Sequence, residues 1–307
     1  MLPKQGALLV NYYAIGHESL DNYIAMISGQ APNPDTQNDC PIVTNFKLTR
    51  PGLDAHGQIV GRGCVYPANV GTVANQLSKA GLTWKGYMED MGNDPHREAI
   101  ACGRSPLGSR DATGYATRTD EYASKHDPFV YFRSIFDHTA FCKAHVVNLE
   151  QLKIDLKHID TTPNFSYITP GLCHDGHDAP CANGKPGGLV SANRFLRIWV
   201  PRITSSPAFR KDGMLVITFD ESGGDASACC GEQRLPGGPK PGLTGPGGGR
   251  VGAVVLSPFI RPGTRSTVYY NHYSLLRTIE HNFGLQPLGY AASPGVHVFG
   301  PDVFTNG

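Results

Sequence analysis

MLVITFDESGG, residues 214–224, is the stretch from which the fold is most directly read. Six strand-forming residues run without a polar break, two acids follow at once, and Gly223 and Gly224 then turn the chain. An unbroken run of this length predicts a strand covered on both faces, the habit of parallel sheets flanked by helices. Sites in such sheets gather beyond the carboxyl ends of the strands, so Asp220 and Glu221 stand at a place where chemistry is expected.

Working outward, the same pattern recurs twice. FSYIT (165–169) reads as a strand and runs into PGLCHDGHD, which carries His174, Asp175, His177 and Asp178. VGAVVL (251–256) is a third apolar run; beyond the turn PFIRPGT, His272 opens a helical segment, 273–283, that ends at Gly284. ALLVNYY (7–13) and residues 82–88 add strands. Helices are expected over 22–28 and 72–80. Over 189–203, apolar side chains at Leu189, Ala192, Leu196, Trp199 and Ile203 follow a helical spacing. Residues 90–127 read as a polar, irregular excursion, and 223–250, with its PGGPKPGLTGPGGG, as a Gly/Pro-rich surface loop. Strands alternating with helices predict one α/β domain, a three-layer α/β/α sandwich around a mainly parallel central sheet.

Acids and imidazoles converging on one sheet edge suit a divalent metal ion, whose identity the mixed donors leave open. Taken singly, His177 or His272 reads as a capping or partly buried histidine, and Asp220-Glu221 as a solvated turn; recurrence at three strand ends decides between the readings. His174 and Asp178 are assigned to the periphery. Near the amino end, HESLDNYIAMISG places Ser19 between a strand and a helix, with Asn22 one turn on. A serine hydroxyl needs a base or a metal to become a nucleophile. No G-x-S-x-G elbow surrounds Ser19, so a metal is the expected activator.

Composition narrows the class. The 307 residues are 40% hydrophobic and 17% charged, with a net charge of +1, which argues against a disordered chain and against a basic nucleic-acid interface. No apolar run approaches the ~20 residues of a transmembrane helix. Eight cysteines, an even number, suggest an exported, disulfide-bonded protein. Cys173 with Cys181 and Cys40 with Cys64 are the expected bridges; Cys229 and Cys230 either bond each other or pair elsewhere. The opening MLPKQGALLVNYY has no signal-peptide pattern, so export is expected of a longer form with residues ahead of Met1.

HESLDNYIAMISGQAPN resembles the H-P-S-x-P-N-Y-x-x-x-x-S-G signature of the bacterial phosphoesterase family, which holds secreted acid phosphatases and phospholipase C enzymes within the alkaline-phosphatase-like superfamily. The resemblance continues, in family order, through KHDPFVYF, HDGHD, TFDES and NHYSLLRTIEHNFG. It implies Ser19 as nucleophile and Asn22 and His126 beside the substrate. It further implies Asp220, Glu221, Asp175, His177 and His272 as ligands of one or two divalent metal ions. Glu18 and Asp21 replace the signature's prolines. Family members usually begin with a strand ending in Glu-Asn that helps hold the metal; nothing ahead of Ala7 supplies it, so a truncated amino end is expected. The expected activity is hydrolysis of phosphate monoesters through a phosphoseryl intermediate. The alternatives are a phosphodiesterase acting on phospholipid head groups and an inactive homologue that binds phosphate or a partner.

Overall fold

The computed structural model describes residues 2–232 and 239–305; six residues of the Gly/Pro-rich segment, 233–238, lie outside the described residues. In chain order the regular elements begin with β1 (Ala7–Tyr13), α1 (Ser19–Ser28), β2 (Lys47–Leu53), β3 (Ile59–Arg62), α2 (Val73–Lys79) and β4 (Trp84–Met88). They continue through α3 (Arg133–Phe136), α4 (Thr139–His145), β5 (Val146–Asn148), α5 (Leu152–Asp155), β6 (Phe165–Thr169), α6 (Gly188–Thr204) and α7 (Pro207–Asp212). The last four are β7 (Leu215–Thr218), β8 (Ala253–Leu256), β9 (Thr264–Asn271) and α8 (His272–Asn282).

Two sheets carry the fold. One has the order β7-β8-β1-β9, with β8 antiparallel to both β7 and β1, and β1 parallel to β9. The other, β5-β4-β6, is parallel throughout. The parallel pattern read from the sequence thus describes the smaller sheet and the β1–β9 pair, while β8 runs against its neighbours. Alternation along the smaller sheet sends Tyr87, Val147 and Ile168 to one face, where they pack with Leu152, Phe195 and Trp199 of α5 and α6. Trp84, Met88 and Phe165 point the other way, into the large core shared with α1, α2 and α8. Helices therefore cover both faces, as the α/β/α reading requires.

The apolar run 214–219 forms its strand, but β7 lies at the edge of its sheet rather than inside it. Both β6 and β7 pair on one side only among the described residues. Their other sides face a common cleft of about 1860 Å³, lined by β6, β7, α6 and α8 and reaching Ser19. Helices flank this cleft, so β7 keeps apolar residues on both faces without a second strand neighbour. α6 also differs from its reading. It buries Ser191, Phe195, Trp199 and Val200, while Leu189 at its start is 70% exposed.

α1 is buried along its whole length, and Gly29, in the left-handed conformation at φ 66°, closes it. Leu20 in its first turn is fully buried; cutting such a side chain back to alanine typically costs about 2–5 kcal/mol. Four disulfides are present, 40–64, 102–142, 173–181 and 229–230, the last joining neighbours in the chain. The Gly/Pro-rich segment is less superficial than its composition implies. Gly247, Gly248 and Gly249 are buried. A Cβ on Gly248 would come 2.5 Å from the Ala14 side chain and from the Gly16 carbonyl, so only glycine allows this approach.

Candidate active site

The loop between β1 and α1 sets the position of Ser19. Asn22, fully buried, accepts from the N–H groups of Ile15 (2.8 Å) and Gly16 (3.1 Å) through Oδ1. Its Nδ2 donates to the carbonyls of Gly16 (2.9 Å) and Glu18 (3.0 Å). With donor and acceptor both engaged, Asn22 holds the loop and has no amide hydrogen left for a phosphoryl group. This corrects the role read from the sequence. Asp39 lends an oxygen to the N–H of Leu20 (2.9 Å), so a carboxylate from another segment sits at the helix start.

The Ser19 hydroxyl lies close enough to the Asp220 carboxylate, beyond the end of β7, to favour its ionised form. Burial, with a smaller contribution from Glu221, outweighs that effect and pushes the Asp220 carboxyl up to about 6. Asp175, beyond β6, is raised to about 7, again chiefly by burial, and Asp220 adds to the shift. One Asp175 oxygen, Oδ2, is buried without a hydrogen-bond partner. It stands 3.8 Å from His126 Nδ1, which is also unpartnered. Burial, aided by Lys125 and His177, pulls His126 down to about 3. Stacked on Tyr23 with ring centroids 5.0 Å apart, His126 is a neutral imidazole at ordinary pH. It lines the cleft that Ser19 also reaches.

The remaining expected residues separate. His272 is fully buried at the start of α8. Its Nε2–H donates to the Asp220 carbonyl (2.7 Å), and Nδ1 accepts from the Tyr12 hydroxyl (3.0 Å). Both ring nitrogens are engaged, so His272 braces the Asp220 main chain rather than offering a lone pair. His177 is 83% exposed at its side chain and leans on Asp178, 3.6 Å away. Glu221 is paired with His17, which the sequence reading did not single out. The Glu221 bond raises the His17 pKa against burial, and Nε2 donates to the Asp225 carbonyl (3.0 Å). Its signal was its place two residues before Ser19.

Among the described residues, no three His, Cys, Asp or Glu side chains are grouped so as to hold a metal ion. The acids nevertheless want positive charge. Asp21, in the first turn of α1, is wholly buried with both carboxylate oxygens unpartnered, and burial together with Glu221, Asp39 and Asp220 raises its pKa. The unpartnered oxygens of Asp175 and Asp21, with the Asp220 carboxylate beside them, fit a hard divalent cation in donor type. His272 and His177, as they stand, do not.

The profile of the Phosphoesterase family matches residues 1–286, and the chain belongs to that family. It is similar to an acid phosphatase of Aspergillus fumigatus, 25% identical over 294 residues that make up 94% of this chain and 51% of the relative. A phosphate-repressible acid phosphatase of Penicillium chrysogenum is 27% identical, over 94% of this chain and 54% of its own length. A phosphatidylinositol-3-phosphatase of Mycobacterium tuberculosis is 24% identical, over 95% and 71%. The chain thus spans about half the length of the fungal relatives it matches. A solved protein of the alkaline phosphatase superfamily from Vibrio parahaemolyticus shares 12% identity and a TM-score of 0.46, over 92% of this chain and 59% of that one.

Proposed function

We propose that the chain is a phosphoric-ester hydrolase, a phosphomonoesterase of acid-phosphatase type that uses Ser19 as nucleophile. The observation that carries this reading is the meeting of Ser19 and Asp220 at the wall of the cleft, with Asp175 and His126 on the same wall. Family membership and the acid-phosphatase relatives support it. Ser19 Oγ attacks phosphorus, its proton passes to Asp220, and the bond from phosphorus to the leaving alcohol breaks. A carboxyl held at about 6 is matched to taking that proton near neutrality. His17, paired with Glu221 on the same cleft, gives a proton to the departing oxygen. Water then cleaves the phosphoserine, giving its proton to His17 while Asp220 returns its own to the Ser19 oxygen. Asn22, by fixing residues 15–18, keeps the serine in line.

Asp220 and Asp175 would hold a divalent ion, with Glu221 joining if it leaves His17; when bound, such an ion lowers the serine pKa and neutralises phosphoryl charge. Export agrees with the four disulfides, and no described helix is long and apolar enough to cross a membrane.

A second reading, a phospholipid head group as the phosphate ester, rests on the rim. Phe219 (43% exposed), Leu189 (70%) and Val190 (58%) form an apolar lip, and Gly176 packs against the first two. The mycobacterial relative, named for a phosphoinositide, favours the same class. Phosphate release from an aryl phosphate monoester and from a phosphoinositide, before and after chelation and metal return, tests both. Hydrolysis of neither substrate, with metal supplied, would leave an inactive phosphate-binding homologue.

A further inference from the structure

Lys125 is the cation the mechanism above leaves unused. It follows Ser124 in a short turn of 3-10 helix, and the next residue is His126. Its side chain is 17% exposed, and its Nζ lies 2.6 Å from Asp39 Oδ2. The other oxygen of that carboxylate accepts from the N–H of Leu20, the residue after Ser19. One carboxylate thus ties a lysine to the start of the helix that presents the nucleophile.

The anchor is stiff. Asp39 sits in the left-handed region at φ 52°, its N–H donates to the Thr36 carbonyl, and the next residue is bonded to Cys64. Lys125 lines the same cleft as Ser19, His126, Asp175 and Asp220. Two other strong cations line it, but Lys211 lies on α7 beside Asp212, and Arg250 follows the glycines that pack on Gly16. The charge of Lys125 acts on both Asp175 and Asp220. Burial works against that charge, but Asp39, Glu18 and Asp220 outweigh it and hold the ammonium protonated. A dianionic phosphoryl group placed against Ser19 enters a cleft lined by Asp220, Asp175 and Glu221; it needs a fixed positive charge from the protein, and Lys125 lines the same cleft.

We propose that Lys125 binds a non-bridging oxygen of the phosphoryl group, and that Asp39 is the positioning residue that aims it from the start of α1. The proposal deepens the phosphatase reading and rests on it. A lysine is a point charge with three donors, so one can stay with Asp39 while another meets the phosphoryl oxygen.

The test is binding of orthovanadate and inorganic phosphate to the intact chain, with turnover of an aryl phosphate measured alongside. K125M should weaken oxyanion binding and raise KM by about 10- to 100-fold, the size of a lost charge-assisted hydrogen bond. K125R should recover most of that loss. Because K125M leaves Asp39 without its cation, the double variant K125M/D39N, which removes both charges, should fold normally and still bind weakly. D39N alone should raise KM less than K125M while kcat stays within about threefold. Oxyanion affinity within twofold of the original chain in the folded double variant would overturn the assignment of Lys125 and leave the phosphatase reading standing. An original chain that neither binds oxyanion nor hydrolyses ester would overturn both.

Discussion

The two segments that follow β6 and β7 look alike on paper, each a strand that ends in acids and glycines, yet they do different work. The segment after β7 is tied down from every side. Asp220 has the Ser19 hydroxyl near its carboxylate and takes the His272 ring on its carbonyl, and Glu221 holds His17. The segment after β6 is held at Asp175, whose Oδ1 accepts the His177 N–H at 2.8 Å, and then spreads outward. His177 is in solvent, and the following loop is closed by the 173–181 disulfide. The lesson is that a donor-rich strand end becomes part of a reacting centre only when neighbouring elements close over it. Here α1, α8 and the glycines of 247–249 do so for one segment alone.

This contrast can be broken by mutation. The largest expected effect is that of Ser19→Ala, which should lower kcat by about 10⁴-fold or more, as loss of a nucleophile does. Retained circular dichroism with residual turnover near that of the original chain would remove Ser19 from the chemistry. Asp220→Asn should lower kcat by about 10²- to 10³-fold, and Asp175→Asn by about tenfold to a hundredfold. Equal losses, read from initial rates at saturating substrate and metal, would erase the proposed difference between the segments. His177→Ala should change kcat/KM by no more than about threefold, since exposed side chains contribute little; a loss beyond tenfold would return His177 to the ligand set.

A smaller effect concerns the frame behind the closed segment. Glu280 of α8 is buried, accepts from the Leu288 N–H at 2.9 Å and has one unpartnered oxygen. Burial raises its pKa to about 8 from 4.5. Folding therefore prefers the protonated form, and stability falls as pH rises from about 4.5 through 8. Glu280→Gln should flatten that fall, with a melting-temperature gain of about 3 °C or more at pH 8 and little at pH 5. Equal melting temperatures for the two chains at pH 8 would show that Glu280 carries no such strain.

What the sequence reveals and what it conceals divide along physical lines. Runs such as FSYIT and VGAVVL report burial on two faces, and burial is what a hydrophobic pattern encodes. MLVITF reports the same burial but not its source: helices alone cover β7 on its open side, so the residues do not show that the strand lies at an edge. Ser19 and Asp220, far apart in the chain, come close together in the fold. Asn22 and His272 carry the residue types of a site, yet their hydrogen bonds are taken up by main-chain carbonyls, N–H groups and Tyr12. Partners of that kind belong to the fold and leave no trace in spacing. His17, Lys125 and Asp39 went unassigned for the converse reason. Each is ordinary in its own stretch and finds its partner only in a residue far along the chain.

The paired glycine packing at 16 and 248 has one more consequence. A Cβ on Gly16 would come 2.4 Å from an Asp21 oxygen, and one on Gly248 would strike the Gly16 carbonyl. The loop that carries Ser19 is thus clamped between its own helix and a distant strap, each with atoms too close for even a methyl group. The aim of one hydroxyl is therefore written into a ribbon from the far end of the chain.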